Sequence, residues 1–374
     1  MSLIYLVAGE ASGDILGARL MAALRARAPG LEFAGLGGER MAEQGLQSLF
    51  PIRELALMGL LEVLPSLRRL ARRLEETAQD IARRAPRLVV TIDSPGFTLR
   101  LAARVKAMGI PVVHYVAPQI WAWRPGRVRK IARRVDRILA LLPFEAPLFE
   151  AAGIPVSFVG HPILESEAAR GDAARCPLPG RGLVVMPGSR AGEVRRLLPV
   201  FAETVRALPG DVTPIVALAG TVEEAVRARA EAFGRPLRFV RSPAEKADAM
   251  AAARAGLIKS GTSSLEAAVA GLPHVVAYRL NPITAALARR LIRVRHVSLV
   301  NLLCGREVVP ELLQQDCTPA ALAAALRPLL EGGAAAEAQR AGFREALARL
   351  APPAGRPSEA AAEAVLAELE RRRE

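Results

Sequence analysis

The sequence predicts an α/β protein made of two doubly wound parallel-sheet domains that face a cleft. Short apolar runs without polar alternation are typical of strands buried on both faces of a sheet, and helical segments separate these runs. A polar break rich in Pro and Gly, residues 163–180, interrupts the pattern, which then starts again. The length of 374 residues also agrees with two domains.

The N-terminal half begins with an apolar strand at residues 3–8, which runs into the loop 9–14 and a helix that ends near residue 28. The succession of strand, loop and helix then recurs, as expected for parallel strands joined by crossover helices. The further strands predicted in this half are residues 88–92, 111–116, 138–142 and 156–159.

The C-terminal half repeats this arrangement, with a strand at residues 183–187 and a helix at 191–208. From Pro319 onward the chain is rich in Ala and helical, with a loop at Pro352 and Pro353. The remaining strands are predicted at residues 214–218, 237–240, 256–258 and 274–278. The expected domain plan is 1–165, a linker at 166–180, 181–340, and C-terminal helices at 341–374 that pack on the first domain or on a partner chain.

Composition limits the classes of function. Hydrophobic residues make up 51% and charged residues 24%, which excludes global disorder. The net charge of +14 predicts an anionic partner: nucleic acid, a phospholipid surface or a phosphorylated ligand. Aromatic and basic residues are not interleaved as in a stacking platform, and no helix-turn-helix motif is evident, so we expect no nucleic-acid partner.

The cysteines and the N-terminus indicate the compartment. Cys176, Cys304 and Cys317 are scattered and lack metal-ligand spacing, which favours a reducing compartment and no metal site. The first apolar run is too short for a signal core, and no run of about 18 apolar residues is present. We therefore expect neither a signal peptide nor a membrane-spanning helix.

The loop after the first strand is a candidate binding site. Its backbone amides, at the start of a helix, suit an anion. Alternatively, its glycines permit a tight turn and Asp14 caps the helix. It is not a Walker A loop, because Gly-Lys-Ser/Thr is absent. The candidate ligand-binding residues here are Gly9, Glu10, Ser12, Gly13 and Asp14.

Two loops of the second domain have the composition of a diphosphate site. Residues 188–190, GSR, open a helix and combine backbone amides, a hydroxyl and a guanidinium. In residues 259–266, KSGTSSLE, hydroxyl side chains cluster at a helix start, and Glu266 is placed to accept hydrogen bonds from a ribose. The alternative is N-capping by Thr262 or Ser263 with a Glu that complements the helix dipole. The candidates are Ser189, Arg190, Gly261, Thr262, Ser263 and Glu266.

Two further features stand out in the first domain. Asp93 follows a buried strand and is a candidate general base, or a turn cap. Both tryptophans of the chain, Trp121 and Trp123, lie in one Pro-bounded loop, which favours a wall for a ligand or an interface.

Residues 55–74, LALMGLLEVLPSLRRLARRL, are apolar first and then amphipathic with paired arginines. This composition is typical of an interfacial helix on anionic lipid. A buried helix followed by an ordinary surface helix is the alternative. The candidate lipid contacts are Met58, Leu60, Leu61, Val63, Leu64, Arg68, Arg69, Arg72 and Arg73.

A series of motifs runs through most of the chain. They are VAGEASGD at 7–14, GLGGERM at 35–41, LALMGLLEVL at 55–64, IDSPGF at 92–97, HYVAPQIWAWR at 114–124, VGHP at 159–162, PGSRAGEV at 187–194, SGTSSLE at 260–266 and NLLCGREVVPELLQ at 301–314. This ordered set closely resembles the lipid-A-disaccharide synthase family, glycosyltransferases of the GT-B fold. The set is far more specific than any one of its motifs.

The resemblance implies an enzyme that joins UDP-2,3-diacylglucosamine to 2,3-diacylglucosamine 1-phosphate, giving the β-1,6-linked disaccharide 1-phosphate and UDP. The family's essential aspartate, arginine and asparagine fall on Asp93, Arg190 and Asn301. Glu311 and Gln314 of the last motif, and Trp121, are expected to bind substrate. The chain departs from the family at Thr98, where Asn often follows the Phe, and at Val300, where Pro usually precedes the Asn.

The residues themselves agree with this chemistry. Asp93 at a strand end is expected to serve as the base for an attacking hydroxyl, and one-step displacement would invert the anomeric centre. No Asp-x-Asp occurs in the chain, so no metal or cofactor is expected. Arg190 and the helix starts at Gly188 and Gly261 are expected to stabilise the leaving diphosphate instead.

On this interpretation the first domain holds the acceptor and faces the membrane, and the second binds the UDP-sugar. We expect a cytoplasmic protein, peripheral on the inner face of the inner membrane, and the sequence leaves a homodimer open. The rival is another GT-B enzyme that uses a UDP-sugar, a UDP-N-acetylglucosamine 2-epimerase or a peptidoglycan glucosaminyltransferase. The segment 55–74 favours a lipid acceptor over the soluble epimerase.

Overall fold

The computed structural model describes residues 2–55, 63–120, 126, 128–281 and 295–371. The chain divides into two compact units, residues 1–162 with 350–374 and residues 163–349. Each unit contains one six-stranded sheet in which neighbouring strands run parallel.

The first unit has the strand order β2-β1-β3-β4-β5-β6. All five residues of β3 are buried, which requires packing against both faces of the sheet because successive side chains point to opposite sides. The strands are β1 (Ser2–Ala8), β2 (Leu31–Leu36), β3 (Leu88–Ile92), β4 (Val112–Tyr115), β5 (Arg137–Ala140) and β6 (Val156–Phe158).

The helices of the first unit alternate with these strands. They are α1 (Ala11–Arg27), α2 (Glu39–Glu43), α3 (Val63–Arg84), α4 (Pro95–Ala107), α5 (Val128–Ala132) and α6 (Ala146–Glu150). A buried hydrogen bond ties α3 to the sheet, because the Tyr5 hydroxyl donates to Asp80 Oδ2 at 2.9 Å. Arg83 and Arg84 pair with the same carboxylate, which compensates the cost of burying its charge.

The second unit has the strand order β12-β11-β10-β7-β8-β9. Alternate residues of the central strand β7 (Arg181–Met186) enter different cores, Leu183 and Val185 on one face and Val184 and Met186 on the other. The other strands are β8 (Val212–Ala217), β9 (Arg238–Val240), β10 (Ala255–Lys259), β11 (His274–Tyr278) and β12 (Glu311–Leu313). The helices are α7 (Ala191–Arg206), α8 (Glu223–Arg227), α9 (Pro243–Ala252), α10 (Thr262–Val269), α11 (Leu299–Cys304), α12 (Pro319–Glu331) and α13 (Ala334–Leu350).

The C-terminal segment returns to the first unit, where α14 (Pro357–Glu370) packs on α1. The carboxylate of Glu368 is fully buried and binds Arg137 of β5 at 3.1 Å and Arg371 at 2.5 Å. An ion pair between residues so distant in sequence fixes the last helix against the first sheet. Within the described ranges, no helix combines the length and the apolar composition that crossing a bilayer requires.

The predicted fold class, two doubly wound parallel sheets, is confirmed, and every predicted strand is present. The sequence does not predict β2, whose Gly35 has φ 141° and lies so close to β1 that a Cβ atom would come within 1.9 Å of the Leu6 carbonyl oxygen. Nor does it predict the three-residue β12. Residues 166–180, expected as a linker, lie in the second unit and include short 3-10 turns that pack on α9.

Candidate active site

Two loops of the first unit meet at the carboxyl edge of its sheet. Gly9 follows β1 and Ser94 lies beyond β3, and a Cβ atom on Gly9 would lie 2.3 Å from Ser94 Cβ. Glycine permits this approach, and the Ser12 hydroxyl thereby reaches Asp93 and donates to Oδ2 at 3.2 Å. The adjacent strands β1 and β3 therefore bring together three predicted site residues, Gly9, Ser12 and Asp93. Glu10, the residue next to this contact, is exposed.

The backbone at the predicted base is strained. Asp93 and Ser94 have φ values of 53° and 46°, a region that costs a non-glycine residue about 1–3 kcal/mol. The Thr98 hydroxyl donates to the carbonyl oxygens of both residues at 2.6 and 3.0 Å. The Ser94 N–H donates to Asp93 Oδ1 at 2.7 Å. The Ser94 N–H thus holds the half-buried carboxylate, and Thr98, a departure from the family motif, holds the strained backbone beside it.

Asp14 has a role that the sequence does not predict. It lies in the first turn of α1 and is 6% exposed, and its carboxylate accepts hydrogen bonds from the N–H groups of Gly38, Arg40 and Met41 at 2.7–3.0 Å. Asp14 therefore caps α2, and the alternative that it caps its own helix is wrong. Gly13 is buried as well. A contact of either residue with a ligand stays a prediction.

In the second unit, the loops after β7 and β10 lie side by side because these strands are neighbours. Ser189 is exposed, and its carbonyl oxygen accepts a hydrogen bond from the Thr221 hydroxyl at 2.8 Å. The side chain of Arg190 is 78% exposed. The sheet thus brings the predicted hydroxyl and guanidinium to the same edge as Gly261.

The two helices that begin at these loops have no side-chain cap. Their N-cap residues are Arg190 for α7 and Gly261 for α10, whereas the Ser242 hydroxyl caps α9. Capping of α10 by Thr262 or Ser263 is therefore wrong, since the helix already begins at Thr262. The first-turn N–H groups of α7 and α10 carry the positive end of each helix dipole, which suits an anion.

Glu266, the predicted ribose ligand, forms an ion pair within the unit. The Nζ atom of Lys246 on α9 lies 2.9 and 2.8 Å from its two carboxylate oxygens. A second pair joins Lys259 and Glu193 at 3.0 Å. The sequence prediction missed Lys246 and Glu193 because only tertiary packing brings these charges to the loops. A lysine or glutamate near a helix start has no signal of its own in the sequence.

Asn301, predicted to be catalytic, is fully buried in α11. Its Oδ1 accepts from the N–H groups of Val308 and Val309 at 2.7 and 2.9 Å. Its Nδ2 donates to the Val309 carbonyl oxygen and to Glu311 Oε1, both at 2.8 Å. The amide therefore uses all four of its hydrogen-bonding positions within the chain. These contacts hold the turn before β12, and a direct contact with substrate stays a prediction.

The other two residues of this motif also have partners in the chain. Glu311 accepts hydrogen bonds from the N–H groups of Val297 and Ser298, at the start of α11, at 2.9 and 2.8 Å. Gln314 has φ 50°, and its Oε1 accepts from the Leu280 N–H at 3.3 Å. Both side chains are half-buried, and their roles in binding substrate stay predictions.

Part of the predicted lipid surface and aromatic wall lies outside the described residues. This applies to Met58, Leu60, Leu61, Trp121 and Trp123, and to the side chains of Val63 and Leu64. Of the arginines predicted to meet lipid, Arg68, Arg69 and Arg72 are exposed on α3.

Arg73 differs from these arginines. Its guanidinium binds Glu54 Oε2 through Nε at 2.8 Å and Glu76 Oε2 through Nη1 at 2.5 Å, and lies 4.5 Å from the centre of the Phe50 ring. Two carboxylates and an aromatic face thus hold Arg73 inside the unit. The prediction that it meets lipid phosphates conflicts with these contacts.

The chain matches known proteins along almost its whole length. The family model for lipid-A-disaccharide synthetase matches residues 4–365. A lipid-A-disaccharide synthase from Granulibacter bethesdensis is 51% identical, over 97% of this chain and 98% of its own. One from Gluconobacter oxydans is 49% identical, over 97% of this chain and 90% of its own.

Solved structures share the fold. The glycotransferase of kitacinnamycin has a TM-score of 0.65 at 17% identity and covers 98% of both chains. MurG of Acinetobacter baumannii has a TM-score of 0.56 at 14% identity and covers 99% of both. Such identities show the fold alone, which is that of GT-B glycosyltransferases. The family follows from the sequence matches: this chain belongs to the lipid-A-disaccharide synthetase family.

Proposed function

We propose that this protein joins UDP-2,3-diacylglucosamine to 2,3-diacylglucosamine 1-phosphate, and releases UDP and the β-1,6-linked disaccharide 1-phosphate. The observation that carries the proposal is the family match over nearly the whole chain, with Asp93 and Arg190 present at accessible positions. The rival, a UDP-N-acetylglucosamine 2-epimerase, has only a likeness of fold in its favour, at 12% identity.

In this proposal the first unit supplies the base. Asp93 Oδ2 takes the proton of the acceptor 6-hydroxyl while that oxygen attacks the anomeric carbon of the donor. The bond from the anomeric carbon to the phosphate oxygen breaks, and UDP leaves with the electron pair. Attack from the face opposite UDP turns an α-linked donor into a β-linked product. Ser12 supports this step because its hydroxyl donates a hydrogen bond to Asp93 Oδ2 and so orients the oxygen that takes the proton.

The second unit binds the nucleotide. The Arg190 guanidinium and the first-turn N–H groups of α7 and α10 stabilise the diphosphate as its charge develops. A guanidinium fork binds phosphate oxygens in pairs, and the exposure of Arg190 lets it reach them. Glu266 accepts hydrogen bonds from the ribose hydroxyls, and Lys246 offsets the repulsion between this carboxylate and the diphosphate.

The acceptor and donor carry acyl chains, so we further propose that the protein docks on an anionic membrane, at the cytoplasmic face of the inner membrane. The exposed arginines of α3 and the apolar composition of residues 55–64 support this proposal.

The test is incubation of the purified protein with both substrates and mass detection of the product. We expect each disaccharide 1-phosphate formed to be matched by one UDP released. Arg190→Ala is expected to weaken UDP binding by roughly 10- to 100-fold, the worth of a hydrogen bond to a charged group. Arg175→Ala is the matched control, since Arg175 is an exposed arginine of the same unit outside both loops. A folded wild-type protein that makes no disaccharide rejects the proposal.

A further inference from the structure

A buried ion pair lies beneath the two loops proposed to hold the diphosphate. Lys259 ends β10 and Glu193 lies in the first turn of α7, and Nζ is 3.0 Å from Oε1. Their side chains are 16% and 9% exposed. A Cβ atom on Gly188 would lie 2.6 Å from Glu193 Oε2, and one on Gly261 would lie 3.5 Å from Lys259 Nζ. The pair therefore lies where a side chain at either of these glycines would point.

Glu193 also binds the arginine proposed to meet the diphosphate. Arg190 Nη1 lies 3.3 Å from the same Oε1 that Lys259 occupies. No group in the described part of the chain donates a hydrogen bond to Oε2, although this atom is buried. Burial disfavours the charged carboxylate, but Lys259 and Arg190 outweigh that effect and hold the pKa of Glu193 below its usual value. The negatively charged carboxylate of Glu193 therefore lies beside the loops proposed to bind the diphosphate, which is also negatively charged.

This arrangement sets two acceptors in competition for one guanidinium. A carboxylate and a phosphate bind Arg with the same fork geometry. Without Lys259, Glu193 would hold Arg190 more strongly than it does here, and it would also repel a diphosphate at close range, the more so because burial weakens screening by water. The positive charge of Lys259 weakens both effects.

We propose that Lys259 is a positioning residue that neutralises Glu193 and so leaves the Arg190 guanidinium for the diphosphate of the nucleotide. The inference rests on the proposed function, which places the diphosphate at these loops. It assigns no contact with the nucleotide to Lys259 itself. The Lys259 ammonium also lies 5.3 Å from the centre of the Tyr278 ring, a cation–π contact. Contacts within the unit therefore set its position without the ligand.

Calorimetric titration of the full-length protein with UDP tests the proposal on three variants. Lys259→Met is expected to weaken UDP binding at least about tenfold, because the freed carboxylate captures Arg190. Glu193→Gln combined with Lys259→Met is expected to bind UDP within about threefold of wild type, because the competing charge is gone. Lys106→Met removes a lysine–carboxylate pair of the first unit, with Asp136, and should leave UDP binding unchanged.

The outcomes separate the possibilities. The affinity for uridine, which has no phosphate, is measured by competition and should be equal for all variants. A merely structural defect would lower this affinity. If Lys259→Met does not fold, Lys259→Gln takes its place in the same titration, and a folded Lys259 variant that binds UDP as wild type does overturns the proposal. A double variant that binds UDP about tenfold more weakly than wild type overturns it, because Lys259 then acts other than through Glu193. Failure of the proposed function is a different result, because the folded wild-type protein would then make no disaccharide. Failure of the proposed diphosphate site would appear as Arg190→Ala binding UDP as wild type does.

Discussion

At the scale of single residues, Asp93 carries the proposed chemistry. Asp93→Asn keeps the shape of the side chain but removes the base, so turnover should fall by about 10²–10⁴. Ser12→Ala removes only the hydrogen bond that orients Oδ2, and a smaller loss, about tenfold, is expected with UDP affinity unchanged. Steady-state rates measured beside melting curves check both. Turnover of folded Asp93→Asn within a few-fold of wild type would contradict the assignment.

The buried histidines make stability depend on pH. His274 illustrates the reason: Nδ1 donates to the Leu272 carbonyl oxygen at 2.9 Å, so the neutral ring accepts at Nε2 from the Ser264 hydroxyl at 2.8 Å. A proton on Nε2 would turn this nitrogen into a donor, so the Ser264 hydroxyl could no longer donate to it, and the positive charge would be buried. Burial lowers the pKa of His114, His161 and His274 from 6.5 to about 4.

The sign of the effect follows from these pKa values. Between about pH 6.5 and pH 4 the unfolded chain binds protons that the folded protein does not. The histidines therefore allow full stability above pH 6.5, and this stability is lost progressively as the pH falls toward 4. We expect the melting temperature to drop clearly from pH 7.5 to pH 5, and His274→Asn to reduce that slope. An unchanged melting temperature over this range would show that these rings do not stay neutral.

At the scale of elements, α3 and the residues before it test the docking proposal. Replacing Leu60 and Leu61 with Ser should lower binding to anionic liposomes and activity on the acylated acceptor, while UDP affinity stays the same. Each buried methylene contributes roughly 0.8 kcal/mol, so the loss should be large. Co-sedimentation measures it. If these leucines form a buried helix instead, the double change lowers the melting temperature, and a folded variant that binds liposomes like wild type excludes this surface.

Two neighbouring arginines of α3 provide a matched pair for the same experiment. Arg72 is exposed, whereas Arg73 binds Glu54 and Glu76. Arg72→Ala should weaken liposome binding by about 1 kcal/mol, the worth of one basic residue near a lipid surface, and added salt should reduce the difference. Arg73→Ala should lower the melting temperature instead. Equal effects of both changes on liposome binding would contradict the distinction drawn from their contacts.

At the scale of the whole molecule, we expect catalysis without a metal ion. The chain has no Asp-x-Asp, and Arg190 with the uncapped starts of α7 and α10 supplies positive charge at the proposed diphosphate site. Activity should therefore survive EDTA at a concentration that strips magnesium. Loss of activity with EDTA and its return with magnesium would show that this account of the leaving group is wrong.

The sequence by itself determined the fold class and most of its strands. Buried strands in a parallel sheet are continuous apolar runs, and such runs, each followed by a loop and a helix, are visible in residues such as 88–92 and 183–187. It also determined the family, because the ordered motifs fix residue types at many separate positions. The strands β2 and β12 escaped prediction because Glu32 and Gly35 interrupt the apolar run of β2, and Pro310 and Glu311 interrupt the apolar run that leads into β12.

Only the tertiary structure decided what the polar residues do. Asp14 caps α2, and the Asn301 amide makes all of its hydrogen bonds within its own unit. Arg73 forms ion pairs with two carboxylates. The ion pair of Glu193 and Lys259 appears only when β7 and β10 become neighbours. The physical reason is that an apolar pattern is periodic along the chain, whereas a hydrogen bond or an ion pair depends on which atoms folding brings within about 3 Å of each other.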